Sequence, residues 1–550
     1  MIDEYTWLNH YPEGIDWHTH IATGSLPSLL EHSESVFPDH IALDFKGKHY
    51  SYADLGTCVR RFAHGLQQLG VKKGTKVGLF LPNCPQFVIA YYAILKAGGI
   101  VVNYNPLYSR TELAHQLEDS QTEIMITLDI SLLYPKLQPF IGRYQLRHVI
   151  VGNLMSVLPF AKSTLYRLLK ASDRSVISDD AHHSHFMDIM NASPITHAPD
   201  IDVTKDIAVL QYTGGTTGTP KGVMLTHANL TANTQMCSKW FSKTTPGAET
   251  IMGVLPFFHV FAMTVIMNFG ISIGARIIMH PRFEMKPLLD DISKKKPSLM
   301  PGVPTMFTAI CNEPDIDKYD LTSLQMCISG GAGLPAEIKQ RFERVTGCKL
   351  VEGYGLSESS PVVSCNPLYA ENKVGSIGVP FPNTILEIVD KEDGTTLLPQ
   401  GEIGEICIRG PQVMQGYWNN DEETSATIRD GRLYTGDIGY MDEQGYFFIV
   451  DRKKEMILSG GYNIYPRHIE EVLYTHEDVL ECAVIGIKDD LRGEVPKAFI
   501  VLKKGKEADD MSMRAFLKDS LSAYAIPAEI AYVNELPKSM IGKILKKKLH

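Results

Sequence analysis

Short apolar runs recur along the chain, bounded by Gly or Pro and separated by helix-like segments: KVGLFLPN from Lys76, EIMITLD from Glu123, RHVIVGN from Arg147, DIAVLQYTGG from Asp206, ARIIMH from Ala275 and LQMCISGGAG from Leu324. Runs of this kind suit strands buried on both faces, and their alternation with helices predicts parallel sheets covered by helices. After about Val374 the pattern changes to alternating residues with close turns, in TILEIVD, GEIGEICIRG and GYFFIVDR, which predicts a small antiparallel or barrel-like subdomain. Past Asp451, a helix near HIEEVLYTH and strands at ECAVIGI and KAFIVLKKG predict one more unit. The expected fold class is therefore α/β and α+β. A large N-terminal domain over 1–450 carries two parallel-type sheets and a barrel-like subdomain at about 374–450, and a smaller α+β domain follows over 451–550. No internal repeat is visible, which argues against a solenoid.

Two apolar segments need separate treatment. The stretch from Val254 to Met279 is long enough to span a bilayer, but Pro256, His259, Asn268 and Arg276 are costly in hydrocarbon, so a buried strand and helix is expected. From Leu154 to Leu169, residues Leu154, Val157, Leu158, Ala161, Leu165, Leu168 and Leu169 keep helical spacing, while Lys162, Arg167 and Lys170 lie outside the stripe. Pro159 starts or kinks this helix. The stripe either packs on the domain or inserts shallowly at a membrane surface, the basic side favouring anionic lipid.

Composition narrows the class. With 44% hydrophobic and 21% charged residues, the 550-residue chain is far from the disordered corner and long enough for several cores. The 53 Lys plus Arg against 63 Asp plus Glu leave a net charge of −10, which gives no overall attraction to nucleic acid or anionic lipid, so either partner would need a local basic patch. The nine cysteines are scattered without a CxxC pair, so neither a disulfide framework nor a zinc site is expected, and a reducing cytoplasm fits. The opening MIDEYTWLNHYPEG lacks the basic flank and apolar run of a secretory signal, so export is not expected.

Candidate chemistry begins at YTGGTTGTPKG, directly after the strand IAVLQ. Gly214, Gly215 and Gly218 let backbone N–H groups approach an anion, Thr213, Thr216 and Thr217 add hydroxyls, and Lys221 adds a mobile charge. This suits polyphosphate. It is not the Walker arrangement, because Gly222 and not Ser or Thr follows the lysine. A surface turn would explain the glycines but not the threonines and lysine together. GGAGLP from Gly330 and EGYGLSESSP from Glu352 follow strands, where open α/β sheets bind ligands. There the Tyr354 ring could cover a purine and Glu358 could hold Mg²⁺ shared with phosphates, although a glycine turn and a solvated Glu explain each separately. Asp437 in YTGD suits a pair of ribose hydroxyls. Asp451 and Arg452 close a strand shortly before Gly460 and Gly461, as a linker or hinge would. Lys543 follows Gly542 near the end of the chain, where most lysines are simply solvated.

Taken together, YTGGTTGTPKG, PFFHVFA, EGYGLSE, YTGD with VDRKKEMI, and the late Gly-Lys resemble the adenylate-forming superfamily of acyl-CoA synthetases, luciferases and adenylation domains. The likeness runs nearly end to end, and within the superfamily the chain looks most like bacterial long-chain fatty-acyl-CoA ligases. It departs from them at Ser357, where Thr is commoner, and in MILSGGYN.

The resemblance implies a ligase with Mg²⁺ as cofactor and a fatty acid, ATP and CoA as substrates. It makes Lys543, His259 and Lys221 catalytic. It assigns ATP to Thr213, Gly214, Gly215, Thr216, Thr217, Gly218, Lys221, Gly331, Ala332, Glu352, Gly353, Tyr354, Gly355, Asp437, Arg452 and Lys454. Thr213 and Glu358 would contact the metal, Asp451 would be the hinge, and Ser459, Gly460 and Gly461 would face CoA. From the residues alone, His259 reads instead as a core histidine. The expected location is cytoplasmic, with residues 154–169 as a peripheral attachment to the inner membrane surface, and no nucleic-acid partner. The alternatives are a fatty-acyl-AMP ligase that loads a carrier protein, a ligase for a medium-chain or aryl carboxylate, and a nucleotide-binding regulator without turnover. The complete set of Lys221, Glu358, Asp437 and Lys543 argues against the last.

Overall fold

The computed structural model describes residues 5–169, 173–213, 220–459, 462–489, 491–522, 524–539 and 542–549. The apolar runs form two large sheets. In the first, the strands lie in the order Val379–Pro380, Val362–Cys365, Lys349–Gly355, Met326–Ser329, Leu299–Gly302, Thr250–Gly253, Arg276–Met279, Ile41–Phe45 and Lys48–Ser51. Its centre is parallel and both edges are antiparallel. The second runs Gly416–Tyr417, Lys221–Thr226, Ile207–Thr213, Ile100–Asn103, Lys76–Leu79, Ile124–Leu128, His148–Gly152 and His183–His185. It is parallel except for the 207–226 hairpin and the short edge strand. Helix Pro85–Lys96, nearly all of it buried, fills its space on every face, as its almost unbroken apolar sequence requires.

The alternating segments form a third sheet, Ile385–Val389, Gly404–Arg409, Arg432–Met441 and Ile428–Arg429, with Phe447–Arg452 also paired to Arg432–Met441. Every pairing in it is antiparallel, in an open order among the described residues. A fourth sheet, Tyr462–Ile464, Ile457–Ser459, Gly493–Leu502 and Val479–Asp489, with Glu529–Tyr532 beside Gly493–Leu502, packs against helices Pro466–Tyr474 and Asp510–Ser520. One continuous core runs from Trp7 to Phe447, whereas buried side chains from Ile457 to Leu549 form clusters of their own.

The stretch around Val254 is indeed interior. Residues Val260–Ser272 form a single helical segment whose middle, Met263–Asn268, widens to i→i+5 pairing. Its polar members are satisfied, since the Tyr92 hydroxyl donates to Asn268 Oδ1 at 2.9 Å. Among the described residues no helix is long and apolar enough to cross a membrane.

The continuous stripe expected over 154–169 is not one helix. A 3₁₀ turn, Leu154–Val157, ends at Leu158, and a separate α-helix, Phe160–Leu169, starts after Pro159, whose ring fixes φ and removes the N–H that would join the pieces. Val157 is in the core with Leu154 and Leu158 against it, while Phe160 and Leu165 are 89% and 55% exposed.

Candidate active site

Strand ends from the first three sheets and one loop of the fourth unit converge on a cleft of about 740 Å³. At its polar end lie Thr213, Lys221, Glu358, Tyr417 and Glu423. Thr213 and Lys221 are paired across the 207–226 hairpin, so the strand register brings the hydroxyl and the ammonium to one edge. The Lys221 ammonium is ion-paired with Glu423 and stands 5.3 Å from the centroid of the Tyr417 ring. The Tyr417 hydroxyl donates to Glu358 Oε1 at 2.9 Å.

The middle of the cleft is lined by Gly330, Gly331, Gly353, Tyr354 and Gly355 on one side and Thr435, Gly436, Arg452, Lys453 and Lys454 on the other. Gly331 has φ +82° and opens the turn after strand Met326–Ser329. Tyr354 reaches across to the third sheet, where its hydroxyl donates to Asp437 Oδ2 at 2.6 Å, and Arg452 Nε lies 3.0 Å from Asp437 Oδ1. Each carboxylate oxygen keeps a further lone pair, so Asp437 can still accept from a diol. A third arm of the cleft is apolar, lined by Cys237, Phe241, Val265, Val362, Cys365 and Phe381.

His259 and Phe261 lie on the same cleft wall. His259 caps the short helix after it, its Nδ1 accepting the Phe261 N–H at 3.3 Å, which leaves the proton of the neutral ring on Nε2. Burial first, and then the Lys543 charge, push its pKa down to about 4. It is a cleft residue and not the core histidine that residue type alone suggests.

Lys543 enters from the C-terminal unit. Its loop is closed by Ser539, whose Oγ accepts the Lys543 N–H at 3.1 Å and whose N–H donates to the Lys543 carbonyl at 2.8 Å. Burial and then the neighbouring Arg452 charge lower the Lys543 pKa, against the pull of Glu455 and Asp437.

The cleft thus gathers Thr213, Lys221, His259, Gly331, Gly353, Tyr354, Gly355, Glu358, Arg452, Lys454 and Lys543 from the expected set. Asp437 stands just behind, tied in by Tyr354 and Arg452. Ala332 is exposed beyond the wall. Glu352 is not on the lining: it is buried behind the glycine turn and accepts the Leu334 N–H, and that burial pushes its pKa up to about 7. Ser459 is buried in the fourth sheet, away from the lining, and Asp451 is buried at the end of the third. Gly214, Gly215, Thr216, Thr217, Gly218, Gly460 and Gly461 lie outside the described residues. Sequence reasoning missed Tyr417 and Glu423. Neither stands in a motif-like cluster, and only the fold brings them to Glu358 and Lys221.

Comparison with known proteins agrees with this geometry. The family model described as AMP-binding enzyme matches residues 30–418, and that described as AMP-binding enzyme C-terminal domain matches 468–543. A long-chain-fatty-acid–CoA ligase of Bacillus subtilis is 47% identical over 552 residues, covering 100% of this chain and 98% of the relative. Among solved structures, the anthranilate CoA ligase AuaEII in complex with anthranoyl-AMP superposes with a TM-score of 0.85 at 26% identity, covering 96% of this chain and 97% of that one. The O-succinylbenzoate coenzyme A synthetase MenE from Bacillus subtilis, in complex with ATP and magnesium ion, does so with 0.77 at 26% identity, covering 95% and 98%.

Proposed function

The chain belongs to the AMP-binding enzyme family, and we propose that it is an AMP-forming long-chain fatty acid:CoA ligase. The observation that carries this reading is the single cleft with a cationic and hydroxyl-lined end, an aromatic and glycine-lined middle, an apolar arm, and a lysine from a separate unit reaching in. These linings match the chemistry of a triphosphate, a nucleoside and an acyl chain.

In the first half-reaction a fatty carboxylate attacks the α-phosphorus of ATP and pyrophosphate leaves, giving acyl-AMP. In the second, the CoA thiol attacks the acyl carbonyl and AMP leaves. Lys221 and Thr213 would hold the phosphates, Lys543 would neutralise charge where carboxylate and phosphate meet, and Asp437 with Arg452 would hold ribose. Lys221 must first exchange its Glu423 partner for phosphate.

Glu358 and the Thr213 hydroxyl share the polar end with Glu423, which is ion-paired with Lys221, and among the described residues no group of three or more His, Cys, Asp or Glu gathers to hold a metal alone. This donor set fits Mg²⁺ arriving with the nucleotide, whose phosphates supply most of its oxygens. When bound, the ion would supply charge neutralisation for the triphosphate.

The separate cores on either side of Asp451 support a division into domains of 1–450 and 451–550 with Asp451 as the hinge. Ser459, Gly460 and Gly461 would face CoA once the small domain has turned. The exposed Phe160 and Leu165, with exposed Lys162 and Arg167 on the same helix, support peripheral attachment to an anionic membrane face.

CoA-dependent AMP release, measured for straight-chain carboxylates from acetate to stearate, tests the assignment. Rates should rise with chain length, and a preference for acetate, or for benzoate assayed beside the series, would overturn it.

A further inference from the structure

The small domain touches the large one at a point that none of the reactive groups explains. Helix Pro466–Tyr474 presents Arg467 to the turn Gly330–Leu334, the turn whose first two glycines line the nucleotide part of the cleft. A Cβ built on Gly333 would stand 2.9 Å from Arg467 Nη2, so the absence of a side chain there lets the guanidinium lie against the backbone. Behind the turn, the carboxylate of Glu352 is buried and feels Arg467 as its principal favourable charge. The same guanidinium is steadied within its own helix, where Nε donates to Glu471 at 2.9 Å. The Arg467 N–H donates to Asp451 Oδ2 at 3.0 Å, which ties the start of this helix to the end of strand Phe447–Arg452.

Arg467 is the charge that opposes the effect of burial on Glu352, and it comes from the other domain, so separating the domains removes both that offset and the Gly333 seat. The contact exists in the arrangement that also puts Lys543 in the cleft. We propose that Arg467 is a positioning residue which, by seating on Gly333 and facing Glu352, latches the small domain in the orientation that forms acyl-AMP. It touches no reacting atom and acts through the placement of Lys543. The latch also links the nucleotide-lining turn to domain orientation: a change in that turn on acyl-AMP formation or pyrophosphate release would disturb the Arg467 seat. This inference rests on the ligase reading above for its kinetic consequence but not for its structural one.

The test uses the full chain with Arg467→Gln, Glu352→Gln and the double variant. Pyrophosphate exchange reads the first half-reaction, and thioester formation from supplied acyl-AMP and CoA reads the second. Arg467→Gln should slow the first by about tenfold while the second stays within about twofold, and the double variant should be little worse than either single one, since both remove one interaction. Hydrogen exchange gives a readout independent of activity: the amides of 330–334 and of the segment carrying Lys543 should exchange faster in Arg467→Gln, with the rest of the small domain unchanged. Equal loss in both half-reactions, additive losses in the double variant, or unchanged exchange at those segments would each overturn the latch. A wild-type protein without pyrophosphate exchange for any fatty acid would instead overturn the ligase reading, and the exchange measurement would still decide the latch.

Discussion

Gly542 packs so closely on Thr305 that a Cβ on the glycine would overlap the Thr305 hydroxyl oxygen, and Gly542 itself has φ +72°. The residue before Lys543 is therefore fixed against the first turn of helix Pro304–Cys311, and this approach sets how far the lysine reaches. Gly542→Ala should misplace Lys543 and lower the rate of pyrophosphate exchange by at least about tenfold. Adding Thr305→Gly removes the overlap but not the backbone strain, so recovery should be partial. Full activity in the single variant would show that the loop docks differently.

Lys543→Ala should remove a charge used only when acid and phosphate meet. Acyl-AMP formation is expected to fall by roughly 10²–10³-fold, with thioester formation from supplied acyl-AMP nearly unchanged. Equal losses in the two half-reactions, followed by rapid quench, would contradict a role confined to the first.

His259 should stay neutral across the working range, because its pKa is held near 4 by burial and by the Lys543 charge. The pH–rate profile of the first half-reaction should then lack an inflection at the ordinary histidine value of about 6.5, and His259→Gln should lower the rate without moving the acid limb. A limb near that value that disappears in the variant would show a protonated, acid–base histidine.

Asp451 is pushed by burial to about 6 although it accepts the Arg467 and Arg452 N–H groups and lies near Lys546. The native carboxyl thus keeps its proton up to about pH 6, while the unfolded one releases it near 3.8. Stability should fall as pH rises between those values and be flat above them. Asp451→Asn removes this fall, so its urea midpoint relative to wild type should be higher at about pH 7 than at about pH 4. A difference that shrinks with rising pH would mean the hydrogen bonds outweigh burial.

Much of this was legible before any coordinates. The strand runs at Lys76, Glu123, Arg147 and Asp206 announce a parallel sheet because burial on both faces leaves an unbroken apolar signature, and Lys221, Tyr354, Glu358 and Lys543 stand in or beside glycine-bearing motifs that mark them out. What escaped depends on pairs far apart in sequence. Nothing near Glu423 reveals that it meets Lys221, 202 residues away. Glu352 reads as part of a ligand-binding motif, yet it is buried behind the Gly330–Leu334 turn and only the packing of that turn keeps it off the cleft that Tyr354 lines. Over 154–169 the helical spacing continues through Pro159 while the backbone does not, so the helix starts after the proline, one of the two roles expected of it, and Leu154–Val157 is a separate turn.

The revised stripe carries its own prediction. Phe160→Ser with Leu165→Ser removes two exposed apolar groups, each worth about 1.5–3 kcal/mol if fully buried in lipid. Binding to anionic vesicles should fall sharply, without loss of thermal stability or of activity on a short soluble acid. Lower stability with unchanged vesicle binding would return these residues to ordinary packing.

The central claim is adenylation followed by thioester formation in one cleft, and the nucleotide product tests it most directly. Purified protein given Mg·ATP and hexadecanoate without CoA should exchange labelled pyrophosphate into ATP; when CoA is added, AMP and hexadecanoyl-CoA should appear in equal amounts. Formation of ADP in place of AMP, or hexadecanoyl-CoA formation with no pyrophosphate exchange in the absence of CoA, would contradict the account.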